Sequence, residues 1–292
     1  MIKTDSCPNF LRWFDNASGL SDELKITSFM NEVYAVDPAY YDFKSKSLEK
    51  NDEDIHKRIL SIFDEFSLIR DKFIIFYNNL MNNLDRGLSL LNDTFPDFVI
   101  DIPFHICHSL GECDGGTRKL AGQECMILGL DVMAKVHTFD NEIPFIQHEL
   151  FHIYHLQLYK PSNNSPYNED ALYNGLWLEG LATYISFILN PSASYAELLL
   201  DIPKDLVVDT TKDLKSICQA LLDNFYSIDP DQYKKFFLFS SSPFPSRCGY
   251  YIGFLVVKAI SSYTPFMTMI HFSEQDFIPL LEKELKNFIE TS

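Results

Sequence analysis

The residues of this sequence best suited to chemistry lie in one short segment, Ile146–Leu156. It contains the pattern His-Glu-x-x-His, formed by His148, Glu149 and His152. Apolar residues surround the pattern, and side chains four positions apart on an α-helix lie nearly above one another. The two imidazoles can therefore bind one cation together. Glu149 lies about 100° around the helix from His148, which suits a general base acting on a metal-activated water.

A third ligand is needed, because a catalytic zinc ion usually has three protein ligands and a water. Glu179 lies within a segment, Leu176–Leu189, that is apolar nearly all round, and an ionised Glu there is costly without a cation. We therefore predict that His148, His152 and Glu179 bind one Zn²⁺ per chain. The alternative is a buried helix whose histidines make ordinary hydrogen bonds. The adjacent Gly180 would let a second helix or a substrate approach closely.

The elements that must position these residues follow from periodicity. Two early segments, about 21–34 and 54–91, have apolar residues at helical spacing, and the run 92–96 ends the second. Residues 98–106 and 125–130 alternate like strands, and the glycines between them indicate a flexible turn. Beyond this sheet we predict helices at about 144–159, 175–189, 213–226, 230–239, 249–263 and 274–290.

This order predicts an α+β protein, mostly helical, with a small mixed or antiparallel sheet of two to four strands. We expect the sheet to pack on the helix that carries the metal ligands. Residues 1–96 would form an N-terminal helical region packed on the core, and residues 97–292 the catalytic domain. Within that domain the sheet would occupy 97–140 and the helical part 141–292.

Three motifs can be compared with known families: His-Glu-x-x-His at 148–152, Trp-x-Glu-Gly-x-Ala-x-Tyr at 177–184, and Pro-Ser-Arg-Cys-Gly-Tyr-Tyr-Ile-Gly at 245–253. The first two resemble the gluzincin metallopeptidases, in which a Glu on a later helix completes the zinc site. Together with the Gly-Gly pair at 115–116, all three resemble a bacterial family of predicted zinc-dependent proteases over about residues 97–260. The resemblance implies a thermolysin-like catalytic core.

A donor for the oxyanion is also expected in such enzymes. The sequence offers Arg247, Tyr250 and Tyr251, and the resemblance favours a Tyr over His271. We choose Tyr250 as the catalytic donor and keep Tyr251 as the alternative, although a Tyr at the start of an apolar helix is often part of the core. Gluzincins also hold extended peptide on an edge strand. The segment Cys125–Asp131 is the expected counterpart, unless it only covers the core.

Two further residues near the site are not predicted to be ligands. His155 lies roughly 10 Å along the helix from His148, too far to complete the same tetrahedron, so it should pack or contact the ligands. Thr183, one turn after Glu179, would hydrogen-bond either its neighbours or its own backbone.

Charge and composition restrict the partners. Lys and Arg number 24 against 41 Asp and Glu, giving a formal net charge of -17 that repels nucleic acid and anionic membranes. The six cysteines show no Cys-x-x-Cys spacing and are expected to be core thiols. No apolar run reaches the roughly 18 residues of a membrane span. No signal-peptide core is seen, so we expect either a cytoplasmic protein or one exported by another route, such as an effector delivered into another cell.

The sequence thus predicts a zinc-dependent peptidase that cleaves internal bonds of a protein or peptide substrate. One alternative is a catalytically inactive, zinc-containing protein-binding module. Another is an aminopeptidase, which would need an acidic anchor for the substrate amine that the sequence does not show. The oligomeric state is not predicted.

Overall fold

The computed structural model describes residues 3–99, 102–138, 141–158, 171–240 and 242–291. The chain divides into two units. Unit 1 comprises Met1–Asn82 and Val99–His137, and unit 2 comprises Asn83–Phe98 and Thr138–Ser292. The functional division expected from the sequence, at residues 96 and 97, stays a prediction.

Unit 1 contains the sheet. Its elements in chain order are β1 Lys3–Asp5, α1 Cys7–Ala17, α2 Asp22–Glu32, a 3-10 turn Tyr34–Val36, α3 Pro38–Glu49, α4 Ile55–Phe66, α5 Arg70–Thr94 (which continues into unit 2), β2 Phe104–Cys107, β3 Gly115–Leu120, β4 Gln123–Gly129 and α6 Leu130–Val136. The strand order is β1-β2-β4-β3, with β2 parallel to both neighbours and β3 antiparallel to β4. A small mixed sheet in a mostly helical chain confirms the predicted α+β class.

The sheet corrects three expectations. The glycine-containing stretch interpreted as a flexible turn is strand β3, which joins β4 through Ala121 and Gly122. Both turn residues have positive φ, 48° and 89°, as a tight two-residue hairpin requires. Strand β4 lies between β2 and β3, so the expectation that Cys125–Asp131 is a peptide-binding edge was wrong. The strand expected at 98–106 begins only at Phe104, and residues 100–101 of it lie outside the described part.

Aromatic side chains form the core of unit 1. Phe10 lies 4.8 Å from Phe66 between ring centroids and stacks on the buried His108 at 4.1 Å. A second buried histidine, His105, has its Nδ1 2.8 Å from a carboxylate oxygen of Asp37. These two histidines therefore have structural contacts in the core. None of the six cysteines, all of which lie in described ranges, forms a disulfide, and the five that are buried confirm the prediction of core thiols.

Unit 2 is helical, as the sequence predicts beyond the sheet. Its helices after α5 are α7 Ile143–Leu158, α8 Leu172–Leu189, α9 Leu206–Lys212, α10 Leu214–Asp223, α11 Pro230–Phe237, α12 Cys248–Ser261, α13 Phe266–Met269 and α14 Glu274–Thr291. The predicted helices match α7, α8, α10, α11, α12 and α14 to within about three residues. The short helices α9 and α13 were not predicted. Within the described ranges, no helix combines the length and apolarity needed to cross a membrane.

Helices α7 and α8 are antiparallel neighbours. Ser186, near the end of α8, donates a hydrogen bond of 2.9 Å to the carbonyl of Pro144 at the start of α7. Both helices are buried on most sides, which explains why their sequences are apolar nearly all round. This arrangement brings the middle of α8 beside the middle of α7.

A pair of glycines sets the distance between α8 and α12. A Cβ atom at Gly180 would lie 2.5 Å from the carbonyl oxygen of Gly253, and one at Gly253 would lie 2.6 Å from that of Leu176. Both clashes are with backbone, which cannot move aside as a side chain can. The close approach expected at Gly180 is therefore one between two helices.

Replacing Gly180 by Ala is expected to destabilise unit 2. Ala favours helix by about 1 kcal/mol over Gly, but forcing a methyl group into a packed backbone contact costs about 1–3 kcal/mol. We expect a net loss of free energy of unfolding, measured by urea denaturation. Gly253→Ala should behave alike, and the double variant should lose less than the sum, because both methyls widen one contact. A Gly180→Ala protein as stable as the wild type would contradict this packing.

Candidate metal centre

Three ligand atoms converge between α7 and α8. The Nε2 atom of His148 lies 3.1 Å from the Nε2 atom of His152 and 3.1 Å from Oε2 of Glu179. The His152 Nε2 atom is 3.4 Å from the same carboxylate oxygen. The two histidines come from consecutive turns of α7, as their spacing predicts, and Glu179 comes from the facing position on α8. The structure therefore brings together all three sequence-predicted ligands.

The distances among these atoms fit a small tetrahedral cation. Ligands about 2.0–2.1 Å from a tetrahedral centre are about 3.3–3.4 Å from one another, close to the observed separations. The side chains of His148, Glu179 and His152 are 4 %, 15 % and 20 % exposed, so the group is largely shielded but Glu179 and His152 retain some contact with solvent. Among the described residues these three form the one group suited to holding a metal ion. The group can therefore bind a metal.

Burial and the neighbouring charges shift the pKa values of all three residues. Burial lowers the pKa of His148, and its hydrogen bond with Glu179 offsets this only in part. Burial also lowers the pKa of His152, but the nearby Glu179 carboxylate outweighs it, and the net shift is upward. Burial would raise the pKa of Glu179, yet the two histidines hold it well below its usual range. Glu179 is therefore ionised and His148 is neutral, the forms in which these side chains bind metal.

Glu149 lies beside the group without belonging to it. Its side chain is largely buried, at 9 % exposed, and its charge contributes to raising the pKa of His152. The carboxylate is thus close to the metal ligands while the three ligand atoms come from other residues. Its role as the general base stays a prediction.

Tyr250 also lies at this site. Its ring stacks against the imidazole of His148, with centroids 6.4 Å apart and planes at 27°. The alternative donor, Tyr251, belongs to an apolar cluster with Leu198, Leu200 and Phe254, and the partly buried Tyr250 packs against the same cluster. His271 is exposed, beyond the end of α13. The arrangement thus places Tyr250 rather than Tyr251 next to the ligands, while its role as oxyanion donor stays a prediction.

Aromatic residues near Tyr250 were not predicted from the sequence. The ring of Phe237 lies 5.9 Å from that of Tyr250, and the ring of Phe239 lies 5.5 Å from the guanidinium carbon of Arg247. The available signal was the cluster of aromatic residues that ends α11. Its position beside α12 depends on packing between helices and could not be read from that cluster alone.

His155 and Thr183 do not supply ligands. The ring of His155 stacks on Phe151, with centroids 5.5 Å apart and planes at 10°, and it hydrogen-bonds the backbone of Ile270. His155 therefore packs against Phe151, which is one of the two roles predicted for it. The hydroxyl of Thr183 is buried without a hydrogen-bond partner among the described residues, so neither of its two predicted bonds is seen there.

Comparisons with known proteins do not assign this chain to a family. No protein-family model matches the sequence, and no curated protein or solved structure matches it either. The resemblance to gluzincins therefore depends on the motifs themselves and stays a prediction. So do the identity of the metal as zinc and the number of ions per chain.

The buried His155 is expected to make unit 2 sensitive to acid. Burial and the nearby His152 lower the pKa of His155 from 6.5 to about 3, so the folded protein binds fewer protons than the unfolded chain between these values. Stability is therefore lost as the pH falls through this window. In His155→Asn, the slope of unfolding free energy against pH should fall by up to about 1.4 kcal/mol per pH unit.

Urea denaturation in chelator from pH 7 to 4 measures this slope without metal. His56→Gln is the control, because His56 is exposed and its replacement should leave the slope unchanged. Equal slopes for His155→Asn and wild type would show that His155 is not held neutral by burial.

Proposed function

We propose that this protein is a zinc-dependent peptidase. The observation that carries the proposal is the convergence of His148, His152 and Glu179 on one point, with Glu149 beside them. Two imidazoles and one carboxylate form a ligand set that suits zinc and leaves a coordination position for water or substrate. Catalytic zinc sites are open in this way, whereas structural ones are closed by a fourth protein ligand.

When bound, zinc would lower the pKa of a coordinated water to near neutrality and would polarise a carbonyl group. The chain's own residues would do the remaining work. Glu149 takes the proton from the attacking water and passes it to the leaving amine, which is general base followed by general acid catalysis. Tyr250, stacked on His148, donates a hydrogen bond to the oxyanion. Partial burial of the site strengthens both interactions.

The proposal predicts that peptide cleavage depends on zinc. We expect the purified protein to cleave unfolded casein or a mixed peptide library, with products identified by mass spectrometry. A chelator should lower the rate by at least about 100-fold, and one equivalent of zinc should restore it, because the ligands bind one ion. Calcium serves as the control, since it prefers six to eight oxygen ligands and should not restore activity.

Two results would contradict the proposal. Cleavage that is indifferent to chelator would show that the reaction does not use this site. Binding of one zinc per chain with no cleavage of any library member would favour the alternative of a zinc-containing binding module.

A further inference from the structure

One buried cation of unit 2, Arg247, has no carboxylate partner among the described residues. Arg247 is only 6 % exposed. Its Nη1 atom donates a 3.4 Å hydrogen bond to the Ile202 carbonyl, and its guanidinium carbon lies 4.3 Å from the ring centroid of Tyr250. None of the described carboxylates forms an ion pair with it, although the chain has 41 Asp and Glu. Buried charges are normally paired, so an unpaired guanidinium indicates a place for an anion.

The backbone conformation of Arg247 also indicates a functional role for its side chain. Arg247 has φ 64°, in the left-handed region that Gly and Asn adopt most readily. An Arg there carries local strain, and such strain is typical of functional sites. Helix capping does not explain an Arg at this position, because its side chain makes no capping hydrogen bond to α12. The left-handed backbone does not explain it either, because Gly or Asn would adopt that conformation more readily.

The guanidinium lies next to the metal centre. Tyr250 separates them, with one face towards Arg247 at 4.3 Å and its ring 6.4 Å from that of His148. The charge of Arg247 also contributes to the lowered pKa of His148. A group bound by Arg247 would therefore be adjacent to whatever the metal ligands and Tyr250 hold.

We propose that Arg247 binds a carboxylate of the substrate beside the bond that is cleaved. This inference rests on the proposed peptidase function. A guanidinium has five N–H donors in a planar fork that matches a carboxylate, and the Ile202 carbonyl engages only one nitrogen of Arg247. A peptide offers this group in two places, at its free C-terminus and on Asp or Glu side chains. Arg247 would thus determine specificity for an acidic group.

The test uses synthetic peptides in matched pairs. Each sequence is made with a free or an amidated C-terminus, and with Glu or Gln at each position flanking the cleaved bond. Dissociation constants are measured by calorimetry with zinc-loaded, full-length Glu149→Gln protein, and kcat/KM is measured with the wild type. We expect a carboxylate form to be favoured about 10- to 100-fold over its uncharged partner. Whichever pair shows the preference identifies the source of the carboxylate.

Substitutions at Arg247 distinguish a role in binding the substrate carboxylate from a role in stabilising the fold. Arg247→Asn suits the left-handed backbone, so it should keep the melting temperature while abolishing the preference. Arg247→Lys should keep only part of the preference, because an ammonium lacks the fork. Lys258→Gln is the control, since it removes an exposed cation with aromatic contacts on the same helix, and it should keep the full preference.

The outcomes distinguish this inference from the peptidase proposal. Cleavage without any carboxylate preference, or a preference that survives in Arg247→Asn, overturns the role of Arg247 and leaves the peptidase standing. A carboxylate preference in binding without cleavage supports Arg247 and contradicts the peptidase. Equal weakening of all peptide forms together with a lower melting temperature in Arg247→Asn would show a merely structural residue. Absence of both binding and cleavage contradicts both proposals.

Discussion

Replacing Glu149 by Gln is expected to lower kcat/KM for peptide cleavage by about 100- to 10,000-fold, the usual contribution of a general base. Gln has nearly the same shape as Glu but cannot accept a proton from water. Glu149 is not among the three metal-binding residues, so the variant should still bind zinc. The expected signature is therefore a protein with normal metal content, a normal fold and almost no turnover.

The measurement needs metal analysis and kinetics on the same preparation. Glu290→Gln is the matched control, because it makes the same change at an exposed position near the end of α14. It should leave kcat/KM at the wild-type value. If Glu149→Gln cleaved peptide at a rate close to that of the wild type, another residue would have to act as the base.

Replacing His152 by Ala is expected to abolish stoichiometric zinc binding. The wild-type protein should contain about one zinc per chain after dialysis against zinc-free buffer, and the variant close to none, because a catalytic site has only three protein ligands to lose. Added zinc should raise the melting temperature of the wild type, since an ion that binds only the folded state stabilises it. The variant should show no such rise.

His271→Ala is the control for this experiment, because His271 is exposed and lies outside the metal-binding group. It should keep both its zinc and the zinc-dependent rise in melting temperature. A wild-type protein that folds normally, melts independently of zinc and contains none would refute the metal centre. A His152→Ala protein that retained a full equivalent would show that the ion is bound elsewhere.

The sequence by itself determined the candidate metal centre. Helical periodicity fixes His148 and His152 on one face, because 3.6 residues per turn align positions four apart wherever the helix lies. Glu179 was also predictable, since a carboxylate inside an apolar helix requires a cationic partner. The mostly helical character of the chain and the ends of the long helices of unit 2 after α5 followed from local patterns as well, whereas the segment 54–91 forms two helices, α4 and α5, rather than one.

Tertiary structure alone decided how the sheet is assembled. The polar residues Lys3–Asp5 gave no strand signal, yet they form β1 because β2 offers them parallel backbone partners. The glycines of β3 weaken its local strand propensity, so the sequence alone indicates a turn there. Pairing with β4 nevertheless makes this segment a strand. The interior position of β4 follows from the same pairings. Such choices depend on distant partners, which local patterns do not encode.

Around the metal centre, the sequence determined the ligand types and tertiary packing decided their surroundings. Gly180 was recognisable as a point of close approach, but only the fold identifies Gly253 as its partner. Among Arg247, Tyr250 and Tyr251, the sequence favours Tyr250 as the oxyanion donor, with Tyr251 as the alternative. Packing of α12 places Tyr250 against both His148 and the apolar cluster that contains Tyr251. It also buries Arg247, which has no ion pair with any carboxylate that the structure describes. The direction of a side chain depends on where its helix packs, and residue spacing along one helix cannot determine that.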